Sequence, residues 1–211
     1  MRIAVIDYGM GNLRSVSKAL EHVAPDARVE VTSDAAAVAG ADRVVFPGQG
    51  AMPDCMREME ARGLRPAVLE AAAEKPFLGI CIGLQMLFDA SEEGDVRGLS
   101  VLQGRVRRFP RDAMFDRDGG RLKVPHMGWN EVRQQTPHAL WSGIEDRTRF
   151  YFVHSYYAEV SDVRRVSGVC EYGLPFTCAV ARDNIFAVQF HPEKSHNAGL
   201  RLLSNFVDWN P

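Results

Sequence analysis

An α/β fold, with a central, mostly parallel sheet flanked by helices and a β-rich second half, is the fold class this sequence predicts. Three observations carry the prediction. Ile3–Ile6, Val44–Phe46 and Phe77–Ile80 are short, continuous apolar runs, each closed by a turn containing Gly or Pro. Each is followed by a stretch of helical periodicity, the rhythm of alternating strands and helices. Continuous apolar strands are those buried on both faces, as in a parallel layer covered by helices.

The elements follow in order. Asp7–Asn12 makes the first turn, and Leu13, Val16, Ala19, Leu20 and Val23 then share one face of a helix that stops before Pro25. Arg28–Thr32 reads as a second strand, Asp34–Ala39 as a short helix and Val44–Phe46 as the third strand. Met52–Glu60 and Pro66–Ala73 are two helices broken at Gly63, and Phe77–Ile80 is the fourth strand, followed by an amphipathic helix running to Phe88. Beyond Gly98 the pattern turns to short strands at Gly104–Phe109, Arg121–Val124, Asn130–Arg133, Phe150–Val153, Tyr156–Val160, Thr177–Arg182 and Ile185–Gln189. A closing helix, Asn197–Trp209, carries Leu200, Leu203, Phe206 and Val207 on one face. Asp112–Gly120, rich in Asp, Arg and Gly, is the expected mobile loop. No linker or repeat divides the chain, so residues 1–211 are expected to form a single domain.

Composition narrows the function classes. Lys and Arg number 25 against 27 Asp and Glu, a net charge of −2, and no basic run is longer than Arg107-Arg108. Nucleic-acid and anionic-membrane partners are therefore not expected. No apolar stretch approaches a membrane span, and the opening Met1–Asp7 meets an acid too early for a signal peptide, so a cytoplasmic chain is expected. The four cysteines, Cys55, Cys81, Cys170 and Cys178, form no Cys-x-x-Cys. His126, His138, His154 and His196 lack metal spacing, Gly9-x-Gly11 has Arg14 where a dinucleotide fingerprint needs its third Gly, and no phosphate loop is present. Neither metal nor cofactor is expected.

Phe77–Phe88 is the most informative segment: a buried strand, then Gly79-x-Cys81-x-Gly83, then a helix. This is a nucleophile elbow with sulfur in place of a serine oxygen. A thiol at a helix N-terminus is favoured as thiolate, the nucleophilic form, against the lesser alternative of a small core hydrophobe. A nucleophile needs a base and an orienting group, and Gln189-Phe190-His191-Pro192-Glu193 supplies both at a strand end. In an extended segment residues two apart face the same side, so Glu193 is expected beside the His191 imidazole.

Gly79–Gln85 together with Gln189–Glu193 resembles the class I glutamine amidotransferase family, whose triad is Cys, His and Glu in that chain order. Asp7–Leu13, Pro47-Gly48-Gln49-Gly50, Pro125–Asn130 and Tyr151–Tyr156 resemble more narrowly the glutaminase-subunit branch that serves histidine biosynthesis. The resemblance runs from Met1 to the last helix and implies the class I glutamine amidotransferase fold. It implies catalytic Cys81, His191 and Glu193, with the glutamyl group passing through a thioester and ammonia leaving. It implies an oxyanion hole from the Ile82 amide and the Gly48, Gln49 and Gly50 loop. Family members often carry Val where Gln49 stands, a change expected to alter activation or contacts, since the loop acts through its backbone. Gln85, Glu93, Ser155 and Tyr156 would hold the substrate, with Glu92 an alternative to Glu93. A chain with no acceptor site of its own implies a partner, in this branch a (β/α)8-barrel cyclase subunit in a heterodimer. Asn12 and Trp129 lie in the segments that resemble its docking face. The residues by themselves leave a stand-alone Cys-His-Glu hydrolase and a redox-sensing module open; glutamine turnover with and without a barrel partner separates them.

Overall fold

The computed structural model of the chain describes residues 1–110, 114–116 and 118–211. The first half alternates as the periodicity predicts. β1 (Arg2–Ile6), α1 (Leu13–Val23), β2 (Arg28–Thr32), α2 (Ala35–Ala39) and β3 (Arg43–Phe46) are followed by α3 (Met52–Ala61) and α4 (Arg65–Glu74). β4 (Phe77–Ile80), α5 (Ile82–Met86) and the short β5 (Phe88–Ser91) and β6 (Val96–Arg97) complete that half. The second half holds β7 (Leu102–Arg108), β8 (His126–Glu131), β9 (Arg133–Gln134), β10 (Arg149–His154), β11 (Tyr156–Val160), β12 (Val166–Glu171), β13 (Pro175–Arg182) and β14 (Ile185–Val188), closed by α6 (His196–Asp208). α2 is capped by the Asp34 carboxylate, which accepts from the Ala36 amide, and the chain turns between α3 and α4 at Gly63, φ 64°.

The main sheet has the order β2-β1-β3-β4-β14-β13-β11-β7-β5-β6, with β12 paired to β13 and β9 to β12. From β2 to β14 every pairing is parallel, and from β14 through β13 and β11 to β7 every pairing is antiparallel. β8 and β10 form a separate antiparallel ribbon that sets Tyr151 opposite Trp129. Ile3, Val5, Val44, Val45, Phe77, Leu78, Ile185, Phe186 and Val188 fill the middle of the parallel half and are fully buried. The register aligns Phe46 with Gly79 and Val188 with Ile80, so three adjacent parallel strands end side by side. That edge of an α/β sheet is where ligands are bound.

Several expectations are corrected. The helix after Cys81 is a buried helix of 5 residues, not an amphipathic one running to Phe88. All five of its residues are buried, Leu87 caps it, and Phe88 opens β5. Among the described residues Arg121–Val124 pairs as a strand only at an isolated bridge between Arg121 and Phe115, and the following Pro125 has no N–H with which to extend a ladder. The strand expected at Asn130–Arg133 is β8 and β9, interrupted at Val132. β12 was not foreseen; Gly168 interrupts its apolar pattern at a register shift, where a Cβ would lie 3.1 Å from that of Ala179. The expected loop Asp112–Gly120 lies partly outside the described residues, at 112, 113 and 117. Among the described residues no helix is long and apolar enough to cross a membrane.

Candidate active site

Three strand ends deliver the functional groups. β3 leads into Pro47–Gly50, β4 into Cys81 and β14 into Gln189–Glu193. Cys81 sits at φ 56°, ψ −110°, a conformation that L residues rarely adopt and that costs on the order of 1–3 kcal/mol. The turn is held by the Cys81 amide donating to the Val188 carbonyl at 2.8 Å, and by the Cys81 carbonyl accepting from Leu84 at 3.0 Å. Both glycines of the elbow answer to close approach: a Cβ on Gly83 would collide with the Phe46 carbonyl oxygen, and one on Gly79 would lie 2.9 Å from the Ala187 Cβ. The other three cysteines are buried without such a setting. Burial raises the thiols of Cys55 to about 11 and Cys170 to about 12, and holds that of Cys178 well above its ordinary value.

His191 is buried and its Nδ1 lies 2.8 Å from Glu193 Oε1. The pair meets on a tight 3-10 turn at Pro192–Lys194, not on an extended strand as expected, because β14 ends at Val188 and Pro192 cannot continue a ladder. Burial by itself would lower the imidazole pKa. The Cys81 sulfur and the Glu193 carboxylate outweigh it and raise it to about 10. Ser195, which sequence reasoning passed over, locks the turn: its hydroxyl donates to the His191 carbonyl at 2.7 Å and accepts from the Tyr151 amide at 3.0 Å.

A cavity of about 440 Å³ opens over the sulfur, lined by Gln49, Gly50, Cys81, Ile82, Gln85, Glu93, Pro125, Tyr151, Val153, His154, Ser155, Tyr156, His191 and Lys194. It thus brings together the expected catalytic, oxyanion and substrate residues apart from Glu193 and Gly48, which do not line it. Gly48 packs between the Tyr8 hydroxyl and the Ile82 side chain, where a Cβ would collide with the hydroxyl. The loop is tethered from beneath by Tyr8, whose hydroxyl donates to the Pro47 carbonyl at 2.8 Å, and by the Cys55 thiol, which donates to the Gln49 carbonyl at 3.5 Å. Gly50 has φ 105°. Ile82 opens α5, so its amide has no acceptor within the helix.

Glu93 and Glu92 part company. Glu93 lines the cavity, and its carboxylate accepts from the Met52 amide at 2.8 Å, while Glu92 turns outward to Arg107 and the Arg108 amide. Gln85 Nε2 donates to the Tyr156 carbonyl at 3.1 Å and to Gln189 Oε1 at 3.0 Å. Among the described residues the buried side-chain N and O atoms without a partner are Gln85 Oε1, His191 Nε2 and Glu193 Oε2, all at this one site. Buried groups left unsatisfied mark places where something other than folding set the arrangement.

Two residues expected at a docking face lie away from the sulfur. Trp129 is 41% exposed and stacks on His196 with ring centroids 4.9 Å apart. Asn12 is half-buried at the N-cap of α1, with no side-chain cap bond. Trp129 borders a groove of about 700 Å³ that also takes in Met127, Asn130 and Arg149. No three of His, Cys, Asp and Glu among the described residues come together as a metal site.

A family model described as Glutamine amidotransferase class-I matches residues 4–209. The chain is 71% identical over 209 residues to the imidazole glycerol phosphate synthase subunit HisH of Dechloromonas aromatica, covering 99% of this chain and 97% of that one. It is 66% identical to the protein of the same name from Thiobacillus denitrificans, covering 99% and 92%. Among solved structures, PurLQS from Thermotoga maritima shares the fold, with a TM-score of 0.72 at 16% identity over 98% of this chain and 97% of that one.

Proposed function

The chain belongs to the class I glutamine amidotransferase family, in the group of HisH subunits of imidazole glycerol phosphate synthase, and we propose that residues 1–211 form a single glutaminase domain acting through a Cys81-His191-Glu193 triad. The observation that carries this reading is the elbow thiol at φ 56° sharing one cavity with an imidazole held 2.8 Å from a buried carboxylate. The Cys81 thiol gives its proton to His191, the sulfur attacks the side-chain amide carbon of glutamine, and His191 returns the proton to the departing nitrogen, which leaves as ammonia. His191 then takes a proton from the water that hydrolyses the glutamyl thioester, releasing glutamate. Glu193 holds the imidazole with Nδ1–H toward itself and stabilises the imidazolium that carries the proton before ammonia leaves and again once the water has been deprotonated.

The oxyanion would be met by the Ile82 amide and by a backbone N–H of the Gly48-Gln49-Gly50 loop. At the other end of the cavity Glu93 would pair the substrate's ammonium group. Gln85 Oε1, a buried acceptor without a partner, would take a further N–H of the substrate, and Ser155 and Tyr156 flank the same wall. Ammonia would pass to a (β/α)8-barrel cyclase that makes imidazole glycerol phosphate and AICAR in histidine biosynthesis, docked on the face bearing Trp129 and Asn12. An exposed Trp beside a wide groove is the kind of anchor such a face uses. The pair would work in the cytoplasm as a heterodimer.

The test is Cys81→Ser assembled with such a cyclase. Glutamine-dependent product formation should vanish while formation from ammonium salts persists. Retention of most glutamine-dependent turnover would remove Cys81 from the mechanism.

A further inference from the structure

Behind Cys81 lies a buried side chain that the triad does not use. Gln189 is fully buried, and its Nε2 lies 3.7 Å from the Cys81 sulfur. We propose that Gln189 is a positioning residue for the nucleophile: it presents an N–H to the sulfur and favours the thiolate, and its orientation is imposed by Gln85 and by the carbonyl of Tyr156. The proposal rests on the reading of Cys81 as nucleophile.

The direction of every bond in this chain follows from the Tyr156 carbonyl, which can only accept. Gln85 Nε2, 3.1 Å away, must therefore be its amide nitrogen, and its second hydrogen goes to the oxygen of Gln189 at 3.0 Å. With that oxygen committed, the NH2 group of Gln189 is the end that faces the sulfur. A thiol accepts a hydrogen bond weakly and a thiolate strongly, so a fixed donor biases the sulfur toward its charged form.

The same carbonyl is clamped from the other side. His154 Nδ1 lies 2.8 Å from it and must donate, so His154 Nε2 accepts from His126 Nδ1 at 3.0 Å. His126 Nε2 then takes the Asn130 amide at 3.3 Å, and Asn130 also donates to the Glu171 carbonyl at 2.8 Å. Burial lowers His154 to about 3, with His126 adding to it, and His126 to about 4, so both rings are neutral at neutral pH, as these roles require. An unbroken series of buried or half-buried groups thus runs from Asn130, on the wall of the outer groove, to the reactive sulfur.

The experiment follows alkylation of Cys81 by iodoacetamide in the full-length chain, read by mass spectrometry of the Cys81 peptide from acid to strongly alkaline pH. Gln189→Met keeps the length of the side chain and removes the donor. At the acid end of the profile the variant should react about tenfold more slowly than the parent, the loss of one hydrogen bond to a charged acceptor. At strongly alkaline pH, where the sulfur is ionised in both, the rates should converge. Tyr8, Cys55 and His191, on whose protonation the sulfur acts, and Glu93, Lys194, Tyr151, His154 and Tyr156, which line the same cavity, are unchanged by the substitution. Profiles that superimpose, or that differ by one constant factor at every pH, overturn the proposal, because a side chain that merely fills space acts on access and not on charge. Should Gln189→Met not unfold cooperatively, Gln85→Met answers the same question: Gln189 stays but loses the group that aims it, and the same convergence is expected. Glutamine turnover by Cys81→Ala is scored separately, so failure of the nucleophile reading is distinguishable from failure of this one.

Discussion

Replacing Glu193 by Gln tests the electrostatic design of the site with almost no change of shape. The Glu193 side chain is 1% exposed and its Oε1 lies 2.8 Å from His191 Nδ1, so the substitution exchanges a charge-assisted hydrogen bond for a neutral one with solvent excluded. A hydrogen bond to a charged group is worth about 1.5–3 kcal/mol and a neutral one about 0.5–1.5, a difference of about 1–1.5 kcal/mol that corresponds to a fall of roughly 5- to 13-fold in kcat, with KM for glutamine little affected because the carboxylate does not line the cavity. Loss of the imidazole itself should cost more, since Gln can still seat the ring. The pH dependence has a definite sign. The folded-state pKa of His191, about 10, lies above its ordinary 6.5, so the stability contributed by the charged ring is complete below pH 6.5 and is lost as pH rises through about 10. Removing the carboxylate removes part of that contribution, so the gap in stability between parent and variant should be widest near pH 6.5 and narrow toward pH 10. Glutamate release by the assembled enzyme measures the first effect, and urea unfolding at several pH values the second. A Glu193→Gln enzyme with more than half the parent kcat, or a gap that widens with rising pH, would refute the reasoning.

Two further outcomes follow from groups beneath the site. Ser195→Ala leaves the Tyr151 amide and the His191 carbonyl without their shared partner; unfolding stability should fall by about 2–4 kcal/mol, lowering the melting temperature by roughly 5–12 °C. A shift within error of the parent in a calorimetric scan would show that the turn holds without it. Tyr8→Phe frees the Pro47 carbonyl and one tether of the loop that borders the sulfur; kcat for glutamine should fall about tenfold at near-constant KM, a fraction of what losing a whole oxyanion donor costs. An unchanged kcat would make the tether irrelevant to turnover.

How much of this was legible in the sequence depended on the range of the interaction concerned. Apolar runs and helical faces are local, so β1, β3, β4, α1, α3 and α4 lie within a residue or two of where periodicity sets them. Gly79-x-Cys81-x-Gly83 announces an elbow by its own residue types. The second half was harder: β12 carries Gly168 at a bulge, β5 begins where an amphipathic helix was expected, and β8 and β10 leave the main sheet altogether. Each of these depends on which strand becomes a neighbour, a matter no short window contains.

The sequence by itself determined the α/β class, the parallel half, the elbow thiol and the candidacy of His191 and Glu193, because strand burial, helix faces and a Gly-flanked cysteine are written in neighbouring residues. Only the tertiary structure decided that His191 and Glu193 meet on a 3-10 turn, and that Ser195 and Tyr8 hold the site from beneath. It also decided that Glu93, not Glu92, reaches the cavity, and that Gln189 lies against the sulfur. The physical reason is one of distance along the chain. Hydrogen bonds such as Gln189 to Cys81, 108 residues apart, or Gln85 to Gln189, 104 apart, depend on the parallel pairing of β4 with β14, and strand pairing is settled by how the whole core packs.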